Sequence, residues 1–147
     1  TRFLPATSMD PGIRNSTAEG MFGSPWHETY LKLAPRKAGF ATPFDKVQES
    51  VAGQEYDWTA QFGALTMPVL IVVGDADSVK VSHAVEMFER LGGGAADGFA
   101  NGKPQSRLLV LPGTHHLDVT SRVDYLAPAI DAFLDAEVTS SEPFAMP

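Results

Sequence analysis

The chain reads as an α/β protein built on a parallel sheet, and three observations point there. Two uninterrupted aliphatic runs, residues 69–73 and 108–111, lack the alternation of a half-exposed strand, so each reads as a strand covered on both faces. Each run stops at a turn signal, Gly74 in the first case and Pro112 with Gly113 in the second. A helical pattern follows each run, and strand, helix, strand, helix is the right-handed crossover unit of a parallel sheet.

Residues 1–23 hold Pro5, Pro11, Gly12, Gly20 and Gly23 among few apolar neighbours, a composition that favours turns and extended chain. They read as an opening loop. Residues 24–66 read as a small helical lid segment. In "SPWHETYLKLAP", Ser24 is placed to cap, Pro25 takes the first helical position, and Trp26, Tyr30 and Leu33 recur at helical spacing before Pro35. After Pro43, "PFDKVQESVAGQEYDW" sets Phe44, Val47 and Val51 three and four residues apart, with charge on the other face.

Residues 67–136 carry the sheet. Pro68 starts the strand in "MPVLIVVGDAD". Ser82 is expected to cap "SHAVEMFERLGGG", whose Ala84, Val85, Phe88 and Leu91 line one side of a helix that ends in glycines. A loop with Gly98 and Gly102 leads to the second strand, "RLLVLPG". The last helix is expected to open with Ser121 and Asp124 in capping-box spacing, with Val123, Ala127, Ile130 and Phe133 on one face. Pro128 would cost about 3 kcal/mol in a regular interior, which predicts a kink or a late start. Residues 137–147 read as a flexible tail.

Composition narrows the partners. Of 147 residues 44% are hydrophobic, enough for the core of one ordinary domain. Eleven basic against 18 acidic residues give a net charge of −7, which repels phosphate backbones and anionic lipid, so nucleic acid and membrane are not expected as partners. No apolar run approaches the roughly 20 residues needed to span a bilayer. There is no cysteine, so neither a disulfide framework nor a thiolate metal site is available. A cytoplasmic protein is expected.

In open parallel sheets reactive groups gather beyond the carboxyl ends of the strands. Both runs end in such groups: "GDADS" carries Asp75 and Asp77, and "PGTHHLD" carries His115, His116 and Asp118. An aspartate after one strand and a histidine after the next match the last two members of the order Ser, Asp or Glu, His. With "MPVLIVVGDADSV", "HAVEMFERLGGG", "RLLVLPGTHH" and "YLAPAIDAFLDA" in that order, the chain resembles the C-terminal half of the α/β-hydrolase fold superfamily over residues 24–136.

The resemblance implies that Asp77, last residue of Gly-x-x-Asp, is the acid, and that His116, from Pro-Gly-x-x-His, is the base of a catalytic triad. A carboxylate that accepts one imidazole N–H fixes the tautomer, leaving the other nitrogen to take a proton from a hydroxyl nucleophile. Asp75 reads as a turn-capping aspartate. His115 is expected at a pocket wall, and Trp26 and Tyr30, with Phe44 and Trp58, are candidates to line a substrate site. His27 and His83 read as packed or solvated, and "LGGGAADG" follows a helix and is a loop rather than a phosphate cradle.

The nucleophile of the resemblance is missing. Ser8, Ser16, Ser24 and Ser50 precede Asp77, and none lies in Gly-x-Ser-x-Gly. The expected function is therefore that of a C-terminal fragment of a serine-type α/β-hydrolase that cleaves a small ester or similar substrate without cofactor or metal in the intact enzyme, and is inactive as this chain alone. Two strands make a marginal sheet with open edges, so the missing N-terminal half or self-association is expected to complete it. The alternative is a non-catalytic half-domain that forms a homodimer through those edges. A third reading makes His115, His116 and Asp118 ligands of a hydrolytic metal.

Overall fold

A computed structural model describes residues 2–3, 5–53, 56–94 and 103–137. It is a mixed α/β chain with two small sheets. Strand β1 (Arg2–Phe3) pairs antiparallel with β2 (Tyr56–Asp57), and β3 (Leu70–Gly74) pairs parallel with β4 (Arg107–Leu111). The β3–β4 register runs from Leu70 opposite Arg107 to Gly74 opposite Leu111, so both strands end at the same level. The Gly98 and Gly102 loop and tail residues 138–147 lie outside the described residues.

Helix α1 (Pro5–Ser8), helix α2 (Pro11–Arg14) and a 3-10 turn at Glu19–Met21 occupy the stretch expected as loop. Local bonding accounts for α2: the Asp10 carboxylate accepts the Gly12 N–H at 2.6 Å, with Pro11 at the first helical position. The chain between α1 and α2 is also tied to the acid loop. Met9 bridges Val79, the Asp10 N–H donates to Ser78 O at 2.8 Å, and the Lys80 N–H donates to Ser8 O at 2.9 Å.

Helix α3 (Pro25–Leu33) starts as its sequence indicates, with the Ser24 hydroxyl accepting the His27 N–H, and stops ahead of Pro35. Helix α4 (Ala41–Gly53) follows, then a short α5 (Thr59–Gly63). Phe40 and Phe44 are buried with Ala18 and form the first of two apolar cores. Tyr30 meets the Phe40 ring edge-on at 5.4 Å, and His27 does so at 4.9 Å, geometries favoured by the ring quadrupole.

The second core lies between the parallel sheet and helix α6 (Val81–Arg90), where Ile71, Val73 and Ala84 are buried. Leu111 is fully buried at the end of β4. Full burial of such an aliphatic side chain contributes roughly 1.5–3 kcal/mol. Elsewhere on β4 residues 107–109 are only partly buried and Val110 is exposed, so this strand is not covered on both faces as its sequence suggests. Ser82 does not cap α6. The helix begins one residue earlier, after Lys80, because the bridge to residues 8–10 delivers the chain there already hydrogen-bonded. At its other end Gly92 adopts φ +85, the left-handed turn that ends a helix without steric cost.

Helix α7 (Val123–Leu134) starts after Arg122 rather than at Ser121. The Ser121 hydroxyl donates instead to Asp118 O at 2.8 Å, inside a 3-10 turn spanning His116–Ser121, and cannot cap. The helix runs through Pro128, which faces solvent, so the carbonyl it leaves unpaired can be hydrated. Helix α7 packs beside β4, where Arg107 Nη1 donates to Ala132 O at 2.8 Å. None of its residues is buried, and Val123, Ile130 and Leu134 are exposed. No helix among the described residues is long and apolar enough to cross a membrane.

His83, on α6, is buried, with Nδ1 3.4 Å from Ser8 Oγ and 3.9 Å from Glu86 Oε2. Burial pushes its pKa below the usual 6.5, against the opposing pull of Glu86. The unfolded chain therefore takes up the proton first, and the folded state loses relative stability as pH falls from about 6.5 through the folded value. Urea midpoints are expected to drop over that window, and His83→Gln is expected to flatten the drop. An unchanged slope in the variant would refute this assignment.

Candidate active site

The carboxyl ends of β3 and β4 lie side by side, so the loops leaving them must share one space. From β3 the chain turns through Asp75 and Ala76 to Asp77. From β4 it turns at Pro112 and at Gly113, whose φ of +58 only glycine adopts readily, then passes through Thr114 to His115 and His116.

The loops are held together by their main chains. The Asp75 N–H donates to Leu111 O at 3.0 Å, and the Ala76 N–H to Thr114 O at 3.2 Å. The Asp75 carboxylate accepts the Thr114 N–H at 3.2 Å, so this residue joins the two loops in addition to engaging the backbone of its own turn at Asp75 and Ala76. The N–H groups of Gly113 and Thr114 hold its carboxyl below the usual value.

Asp77 and His116, 39 positions apart in the chain, meet here. Asp77 Oδ1 lies 2.9 Å from His116 Nδ1. The carboxylate is nearly enclosed, its side chain 4% exposed, while the imidazole is 58% exposed. Oδ1 also accepts the Val79 N–H at 2.8 Å and the Ser78 hydroxyl at 3.4 Å, and Oδ2 accepts the Gly74 N–H at 3.4 Å. Burial alone would raise the Asp77 pKa. The Val79 N–H, the His116 ring and the Gly74 N–H together outweigh it and hold the carboxyl below its ordinary value. An ionised Asp77 is acceptor-only, so His116 must carry its proton on Nδ1 to bond it. In the neutral ring Nε2 is then the acceptor nitrogen, and it has no hydrogen-bond partner among the described residues.

His115 turns away from its neighbour and places Nε2 2.8 Å from Asp118 Oδ2. The adjacent imidazoles thus engage different carboxylates. Among the described residues no group of three or more His, Cys, Asp or Glu side chains is arranged to hold a metal ion.

A cleft of about 400 Å³ opens at this point. Asp77, His115 and His116 line it together with Trp26, Ile13 and Leu117, so Trp26 and His115 share a space with the Asp77–His116 pair. Tyr30 does not face it. Its ring packs on Phe40, and its hydroxyl donates to Arg36 O at 2.9 Å, the partner that brings the phenol into the first core. Phe44 is buried in that core and Trp58 stacks on Tyr56 with centroids 4.4 Å apart.

Sequence reasoning passed over two contributors. Thr114 is completely buried, and its hydroxyl donates to Pro112 O at 2.9 Å. Arg122 donates from Nη1 both to Pro112 O at 2.8 Å and to the Thr114 hydroxyl. Neither has a periodicity or motif signal, since each acts through a turn whose shape is not written in residue type. Nor could composition indicate that Asp10, Gly12 and Ile13 would line the cleft.

A scan against protein-family models and searches of curated proteins and of solved structures find no match for this chain.

Proposed function

We propose that this chain is the acid-and-base portion of a serine-type α/β-hydrolase, with the nucleophile supplied from outside these 147 residues. The observation that carries the reading is the enclosed Asp77 carboxylate 2.9 Å from Nδ1 of His116, a half-exposed ring that lines an open cleft at the ends of two parallel strands. In such an enzyme Nε2 takes the proton of the serine hydroxyl as its oxygen attacks the substrate carbonyl, and returns it to the leaving alcohol. Water then repeats the cycle on the acyl-serine. Asp77 keeps the imidazole in the working tautomer and balances the imidazolium that forms. Trp26, Ile13 and Leu117 supply an apolar wall for a small ester-like substrate, and the helices within residues 24–66 act as its lid.

The test begins with the reading frame that encodes the chain, compared with the intact mass of the natural product. A Gly-x-Ser-x-Gly upstream in the same product, with turnover of 4-nitrophenyl acetate that His116→Ala abolishes, is the expected result. The isolated chain is expected to give no turnover. Turnover by the isolated chain that depends on His116, or a natural product that carries no nucleophile motif, would overturn the proposal.

A second reading, a non-catalytic half-domain that self-associates, is favoured by the β3–β4 sheet, in which among the described residues each strand pairs only with the other, and by the exposed apolar residues of α7. Sedimentation of the purified chain decides it. A stable dimer without any nucleophile-bearing product would support this reading, and a monomer would end it.

A further inference from the structure

We infer that Arg122 is a positioning residue which locks the turn 112–114 and thereby holds the His116 ring on Asp77. The effect on turnover rests on the hydrolase reading, whereas the effect on ring geometry can be measured without it.

The argument runs through Thr114, two residues before the base. Its N–H is taken by Asp75 Oδ1 at 3.2 Å and its carbonyl by the Ala76 N–H at 3.2 Å, so the acid loop fixes its main chain. Its hydroxyl donates to Pro112 O at 2.9 Å and accepts from Arg122 Nη1. The same Nη1 reaches Pro112 O at 2.8 Å, so a single nitrogen fastens both sides of the turn. Among the described residues Arg122 is the one side chain from beyond the acid and base loops that bonds residues 112–114.

Arg122 is itself restrained. Its guanidinium carbon lies 4.4 Å from the centroid of the Tyr125 ring, its Nε is 3.4 Å from Asp124 Oδ1, and its side chain is 24% exposed. Stacking on an aromatic face while donating from one edge requires a planar cation, which lysine does not provide. Arg122 also immediately precedes α7, so its main chain is continuous with that helix while its side chain reaches back to the turn 112–114. By contrast, beyond its own main chain His116 is held to the acid loop through its one bond to Asp77, and its ring is more than half exposed. Its orientation therefore depends on how firmly the preceding turn is fixed.

Ring-nitrogen chemical shifts of His116 in the ¹⁵N-labelled chain, at alkaline pH where imidazoles are neutral, report the ratio of the Nδ1–H to the Nε2–H tautomer. Arg122→Met is expected to lower that ratio about tenfold, the scale of one lost charge-assisted hydrogen bond. Thr114→Val, which keeps the arginine and removes the relaying hydroxyl, is expected to act in the same direction. Thr114→Ser, which restores the hydroxyl, is expected to match wild type. Should Arg122→Met fail to fold, the Thr114 pair alone decides, with Val lowering the ratio and Ser keeping it. An unchanged ratio in folded Arg122→Met or in Thr114→Val would overturn the inference. So would a fall matched by equally increased exchange at the Ile71 and Val73 amides, since that reports general loosening instead of positioning.

Discussion

Gly74→Ala is expected to destabilise the chain by about 3 kcal/mol or more, the upper range for an overpacked interior site. The reason is space, not backbone angle. A Cβ on Gly74 would lie 1.9 Å from Thr114 O and 2.8 Å from Thr114 C, main-chain atoms of the base loop that cannot swing aside as a side-chain end could. Relief requires the whole turn to retreat from β3, which breaks the Ala76–Thr114 and Asp75–Thr114 bonds and draws His116 off Asp77. Urea denaturation measures the loss. A variant within about 0.5 kcal/mol of wild type, the range of neutral surface changes, would mean that the loops do not approach this closely.

The largest functional effect is expected at Asp77. On the proposed hydrolase reading, Asp77→Asn in the nucleophile-bearing product is expected to reduce turnover by about 10⁴, because an amide in this position favours the wrong imidazole tautomer while leaving shape almost unchanged. The substitution also replaces one acceptor oxygen by a donor in a pocket where the Val79 and Gly74 N–H groups already point inward. A pH consequence accompanies it. The Asp77 pKa is lower folded than unfolded, so its contribution to stability is present above about 3.8, the ordinary value, and is lost as pH falls through the folded value. That window lies below the one assigned to His83, so acid unfolding of Asp77→Asn and His83→Gln separates the two groups. Stopped assays with 4-nitrophenyl acetate measure the turnover loss, and a decrease of less than about tenfold would remove Asp77 from the role of orienting acid.

How far the sequence alone reached follows from which forces are local. The two parallel strands were readable because continuous aliphatic runs between Pro68 and Gly74, and before Pro112, have few other uses, although β4 buries Leu111 alone and leaves Val110 exposed, so it is not covered on both faces as its run suggests. Helix α3 was readable because Ser24 and Pro25 form a start signal whose bonds are made within four residues. The starts of α6 and α7 differ from the capping signals because other bonds decide them, a long-range one from Lys80 N–H to Ser8 O in the first case and a local one from the Ser121 hydroxyl back to Asp118 O in the second. The opening segment looked like loop because its one-turn helices are set by side-chain caps and by pairing with residues 78–80.

At the site the contrast is similar. The turns after each strand offer Asp75 or Asp77 and His115 or His116, and the resemblance to the α/β-hydrolase fold superfamily is what singles out Asp77 and His116; parallel register brings such turns together. Trp26 and Tyr30 have the same spacing signal on α3, yet one lines the cleft and the other packs against Phe40. Periodicity identifies an apolar face but not which neighbour it meets. Arg122 has no such signal at all.

The central claim is that Asp77 holds His116 with its proton on Nδ1 and its Nε2 free to accept. Long-range ¹H–¹⁵N correlation of the His116 ring in the wild-type chain, read beside the same spectrum of Asp77→Asn, tests it most directly. The account expects the Nδ1–H tautomer to dominate in wild type and to be lost in the variant. A wild-type ring carrying its proton on Nε2, or a tautomer ratio indifferent to the loss of the carboxylate, would contradict it.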